Sequence, residues 1–103
     1  MRGGRRTYLD EDADLIRSLV APDVTVPEES CGLFIFYAVL MRVKGMDVSA
    51  ADVHDAWAAW KQTTAPSSPH LVPFDELAAE VQAEDEPYAD AIRAAAKVRA
   101  GGA

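Results

Sequence analysis

Apolar residues recur at helical spacing along most of the chain. Between Tyr8 and Val20, the residues Leu9, Ala13, Ile16 and Val20 follow one another at intervals of four, three and four, with Leu15 and Leu19 beside them, which predicts an amphipathic helix. Thr7 precedes it as a cap. Asp10, Glu11, Asp12 and Asp14 crowd its first two turns, where the positive end of the helix dipole favours carboxylates. This cluster reads as solvated helix-start charge, because no calcium-loop glycine or closing glutamate follows at the required spacing. Pro22 and Pro27 then bracket a polar loop with an extended Val24-Thr25-Val26 piece.

Ser30 to Lys44 is apolar on nearly every face, through Leu33, Phe34, Ile35, Phe36, Tyr37, Ala38, Val39, Leu40 and Met41. Phe34 to Tyr37 carries high β propensity, so a strand competes for this stretch. Its length, and the stop made by Arg42 and Lys44 followed by Gly45, favour a central helix buried on several sides. The next helix has the clearest start: Ser49 as N-cap, Asp52 completing a capping box, and Val48 placed to staple onto Val53. Val53, Trp57 and Trp60 form its apolar stripe and are expected to bury both indoles against the core. A linker from Gln62 to Pro69 follows. Phe74, Leu77, Ala78 and Val81 mark a helix starting near Pro73, and Pro87, after Asp85 and Glu86, opens a last helix through Tyr88, Ile92, Ala95 and Val98. The expected architecture is all-α, a single compact domain of four to five helices over residues 7–100 with a buried central apolar helix. Residues 1–6 form a flexible basic leader and residues 101–103 a disordered tail.

Charge narrows the function classes. The net charge is -7, and three of the ten basic residues, Arg2, Arg5 and Arg6, sit in the leader, so the rest of the chain carries seven against seventeen acidic ones. A body that acidic repels phosphate, so nucleic acid is not an expected partner. The apolar run from Leu33 to Met41 is far shorter than the roughly 20 residues of a membrane helix. With a single cysteine and no secretory leader pattern, the expected compartment is the cytoplasm.

Few residues offer chemistry. Cys31 lies at the start of the most apolar helix and reads as packing rather than as a nucleophile. The chain has no serine elbow, phosphate loop or second cysteine, and neither a metal nor a cofactor is expected. His54-Asp55 has the form of the dyad of HD-type phosphohydrolases, but no upstream histidine exists to complete that metal site. Read from the residues alone, His54 and His70 are structural; His54 in particular would bond a backbone carbonyl and fix how its helix meets the following loop.

The stretch Asp52-Val53-His54-Asp55-Ala56-Trp57-Ala58, followed by Pro69-His70-Leu71-Val72-Pro73-Phe74-Asp75-Glu76-Leu77 and then Glu84-Asp85, resembles the ryanodine-receptor-type (RyR) repeat over about residues 38–96. Phe74 stands where the repeat has Tyr, and a short linker replaces its glycine-rich loop. The resemblance implies a sensor of small, nucleotide-like ligands, with His54, Trp57, Lys61 and His70 as the binding residues. Over nearly its full length the chain is also similar to small actinobacterial or actinophage helical domains of unknown function, in Tyr8 to Ile16 and Val53 to Ala58. That likeness implies a product of a phage or mobile element that acts on other proteins.

The reading favoured by these observations is a non-enzymatic, acidic protein-interaction or regulatory module, with a RyR-like ligand sensor as the alternative. A protein partner is expected, and the apolar side chains of the second helix are to be covered either within one chain or across a homodimer interface. Replacing Ser49 with Ala is expected to lower stability by about 1 kcal/mol through loss of the cap, read as a shift of the urea midpoint.

Overall fold

Thr7 starts the first helix by a reciprocal exchange with Asp10: its hydroxyl accepts from the Asp10 amide at 3.3 Å, and the Asp10 carboxylate accepts from the Thr7 amide at 2.8 Å. The computed structural model describes residues 6–26 and 30–101, with the side chain of Cys31 excepted. Among these residues the chain forms four helices of 12 to 16 residues and one of five, and no strand: α1 Tyr8–Leu19, α2 Cys31–Lys44, α3 Ala50–Thr64, α4 Ala79–Ala83 and α5 Glu86–Gly101. No helix among them is long and apolar enough to cross a membrane. The leader and tail, and the packing expected of Cys31, lie outside the described residues except at Arg6, which pairs with Asp14, and Gly101, which closes α5.

The core forms where α1, α2 and α5 meet. Ala13 and Ile16 of α1, Leu33, Phe34, Tyr37, Ala38 and Met41 of α2, and Ala89, Ala91, Ile92 and Ala95 of α5 are buried together, joined by Val48 and Val53. Three alanines on the inner face of α5 bring its backbone close to its neighbours, leaving the volume to be filled by the aromatic side chains of α2. Phe34 meets Tyr37 edge to face at 5.3 Å between centroids, and Tyr88 closes the group at 5.7 Å from Tyr37.

One detail of α2 and one of α1 depart from the sequence reading. Helix α2 is central and apolar, but it is buried along one broad face. Phe36, Val39 and Val43, at i, i+3 and i+7, are exposed on the other, with Val43 74% accessible. It stops at Gly45, whose φ of +57° lies in the left-handed region that glycine enters without strain. The acidic start of α1, expected to be solvated throughout, is not: Asp10 is buried within its cap, and Asp12 is inaccessible. Asp12 accepts from Arg42 Nε of α2 at 2.7 Å and from Arg99 Nε of α5 at 2.9 Å. Its position on the same face as Ile16 turns the carboxylate inward, and two arginines neutralise it there.

Ser49 and Asp52 form the expected capping box, and Lys44 pairs with Asp52 at 3.0 Å, tying the end of α2 to the start of α3. Helix α3 runs two residues past Gln62, the point where the linker was expected to begin. The helix predicted from Pro73 is divided. A 3-10 turn, Phe74–Glu76, gives way to extended backbone at Leu77 and Ala78 before α4 begins. The break lets Phe74 face the His54 ring at 6.1 Å while Val81 lines the cavity beside that ring, and the Gln82 side-chain amide donates to the Phe74 carbonyl at 2.9 Å. A continuous helix would keep both apolar side chains on one stripe.

Asp12→Ala is expected to lower stability by about 2–4 kcal/mol, since it removes the shared partner of two cations that can swing into water. The double replacement Arg42→Ala/Arg99→Ala is expected to cost more, because it strands an inaccessible carboxylate. Urea midpoints check both; an unchanged midpoint for Asp12→Ala would show that the three-helix junction holds without its ion pairs.

Candidate functional site

A cavity of about 350 Å³ opens between α3, the N-terminal half of α2, α4 and the start of α5. His54, Trp57, Lys61 and His70 all line it, so the structure brings the four sequence-designated residues to one place. Helical spacing does this for three of them: positions 54, 57 and 61 lie on one face of α3. His70 reaches the rim from the loop after α3.

His54 anchors the arrangement. It is 3% exposed, and its Nε2 stands 2.7 Å from the Val72 carbonyl oxygen, which can only accept, so Nε2 carries the proton and donates. This is the helix-to-loop bond expected of it. The ring's other nitrogen, Nδ1, faces Asp85 Oδ2 at 4.0 Å, beyond direct hydrogen-bond reach. The carboxylate opposite His54 therefore comes from the turn just before α5, while its sequence neighbour Asp55 is exposed. Trp57 stacks on the His54 ring at 5.5 Å with planes 24° apart.

Both tryptophans are half-buried rather than enclosed. They pack against the core on one side and border the cavity on the other. Trp60 sits close over α2 at Gly32, where an added Cβ would lie 3.2 Å from the indole nitrogen, so glycine permits that approach. The Lys61 ammonium lies 5.6 Å from the Trp60 centroid and 6.0 Å from that of Trp57, a cation held against two indole faces. The exposed His70 ring has no hydrogen bond among the described residues.

The opposite wall was not legible as a site from the sequence. Leu33, Tyr37, Val81, Glu84, Asp85 and Tyr88 complete it. Tyr37 read as core and Asp85 as helix-start charge, and both readings hold locally. Burial pushes the Asp85 carboxyl up to about 6, with His54 opposing the shift and Glu84 and Glu86 adding to it. Burial and the nearby Asp85 likewise push the Tyr37 and Tyr88 hydroxyls up. Among the described residues no group of three His, Cys, Asp or Glu side chains stands close enough to hold a metal ion. The arrangement offers stacking faces, two phenol hydroxyls and two carboxylates, those of Glu84 and Asp85.

Asp85 has a pH signature. Its folded-state carboxyl keeps its proton to a higher pH than the roughly 3.9 of an unfolded chain, so its contribution lowers stability as pH rises from about 4 to about 6 and is level above. Asp85→Asn is expected to remove this slope and to gain about 1–2 kcal/mol at pH 7, after allowance for partial solvent screening. Urea midpoints of both proteins across this range check it. A wild-type-to-variant difference that stays constant from pH 4 to pH 7 would count against it.

No curated protein and no solved structure matches the chain. A family model does, that of a domain of unknown function, DUF7701, over residues 7–97. These residues hold α1 to α4, nearly all of α5 and every side chain that lines the cavity. By this match the chain belongs to the DUF7701 family.

Proposed function

We propose that this is a non-enzymatic binding domain that receives a small organic ligand in the cavity between α3 and α5. The observation that carries the reading is the convergence of His54, Trp57, Lys61 and His70, from α3 and the following loop, on one pocket with aromatic walls. Its volume is within the range of small-molecule sites, about 300–1,000 Å³, and half of its twelve lining residues are aromatic or aliphatic. A binding role rather than a catalytic one is supported by His54. One ring nitrogen is committed to the Val72 carbonyl and the other faces Asp85, so the imidazole is placed to hold the loop rather than to exchange protons with a substrate.

A protein-contact role has its own support in α2. Phe36, Val39 and Val43 leave an apolar stripe exposed on a helix that carries no charge from Cys31 to Met41. The two roles are compatible, since the stripe and the cavity use different residues.

A thermal-shift panel of small aromatic cations, anions and neutral compounds tests the ligand reading. A ligand at about 100 times its Kd adds roughly 2.7 kcal/mol, a shift of order 10 °C for a domain of this size. The expected result is a saturable shift that Trp57→Ala abolishes and Val43→Asp leaves intact. A flat panel, together with a monomer–dimer equilibrium abolished by Val43→Asp, would replace the ligand reading with the contact surface.

A further inference from the structure

The cavity's charge and hydrogen-bonding groups define a ligand class, an inference that rests on the cavity being the binding site. Tyr37 lines it and is only 1% exposed, yet its hydroxyl has no hydrogen-bond partner among the described residues. No fully enclosed side-chain nitrogen or oxygen among those residues lacks a partner, so this hydroxyl opens into the cavity. Asp85 stands near it, in electrostatic contact with both Tyr37 and Tyr88. The Asp85 carboxylate accepts no direct hydrogen bond among the described residues, its backbone alone being bonded, and its nearest basic nitrogen there is His54 Nδ1 at 4.0 Å. A phenol and a carboxylate, both mostly buried and neither paired, therefore face the same space.

The walls add a second, independent preference. Trp57, Trp60, Tyr37 and Tyr88 present π-faces or edges, and the chain already holds one ammonium, that of Lys61, against the two indoles. Asp85 and Glu84 set two carboxylates against that one lysine. An anion entering past Glu84 toward Asp85 meets like charge in a partly desolvated space. A cation gains the carboxylate, the aromatic faces and a phenol oxygen as acceptor.

We propose that the cavity binds a flat organic cation of the amidine, guanidine or aromatic-amine class, with its protonated nitrogen donating to Asp85 and to the Tyr37 hydroxyl oxygen and its apolar body against Trp57 and Trp60. Lys61 is then a rim residue that competes with the ligand for the indole faces rather than one that attracts it. Binding needs the ionised carboxylate, so it weakens as pH falls through about 6, where Asp85 takes up its proton.

Three near-isosteric probes separate the possibilities by isothermal calorimetry on the full chain: benzamidine, a cation; benzamide, neutral; and benzoate, an anion. Benzamidine is expected to bind at pH 7.5, at least tenfold more tightly than benzamide, with benzoate undetected. Asp85→Asn is expected to cost benzamidine at least tenfold, and Tyr37→Phe severalfold while the circular dichroism stays unchanged. Lys61→Met is expected to tighten benzamidine binding, since it removes the competing ammonium from the indole faces. Benzoate binding that exceeds benzamidine binding and is lost in Lys61→Met would overturn the cation assignment while leaving the cavity as the site. Equal binding of all three would reduce the site to an apolar slot. Absence of binding by any probe, with a flat thermal-shift panel, would remove the cavity reading itself.

Discussion

The packing of three helices around one another depends on an inaccessible carboxylate. Asp12 joins α1 to Arg42 of α2 and to Arg99 of α5, two helices that reach it from distant parts of the chain. A buried charge of this kind contributes little net stability against an apolar replacement, but with its partners it constrains how the helices can meet. The apolar side chains around it would tolerate several rotations of α5 against α1. The Asp12 oxygens, each taken by a different arginine, admit far fewer. Arg42 also lies over the Tyr8 ring at 4.8 Å, so the same cation ties down the first turn of α1.

That constraint positions the cavity. Holding α5 against α1 and α2 sets its first turn, with Asp85 just before it and Tyr88 within it, opposite the inner face of α3. On the far side, His54 fixes the loop after α3 through Val72, and the 3-10 turn that follows places Phe74 on the same imidazole. The site is thus framed by two long-range devices, one ionic and one a single imidazole bonded to a loop carbonyl. Neither is made of residues that would touch a ligand with their reactive atoms. The groups left over for a ligand are the aromatic faces, the Tyr37 hydroxyl and Asp85.

Legibility in the sequence follows the range of the interactions. Caps are local, so Thr7 before α1, Ser49 with Asp52, and Gly45 after Lys44 could be read directly and recur in the structure. The one-sided burial of α2 could not, because Phe36 and Val43 are as apolar as Phe34 and Met41, and only the number of neighbouring helices decides which face is covered. Asp12 was misread for a related reason: carboxylates at a helix start suit the dipole whether they face water or the core, and the arginines that draw it inward lie far along the chain. In the site, helical spacing places positions 54, 57 and 61 on one face of α3, whereas nothing in the pattern of residues fixes where His70 lies. The wall from α2 and α5 stayed hidden because Tyr37 and Tyr88 fit an aromatic core equally well.

The half-burial of Trp57 and Trp60 connects these points to function. Two indoles in a 103-residue chain are its largest apolar side chains, and enclosing them would contribute more hydrophobic stabilisation than leaving one flank open. The predicted helix is divided at Leu77 and Ala78, and Gly32 permits Trp60 to lie close to α2. Stability alone would favour filling the cavity with a larger side chain, for example at position 81 in its lining. A cavity kept open at this cost, with an unpaired phenol and carboxylate inside, is the arrangement expected where an exogenous molecule completes the packing.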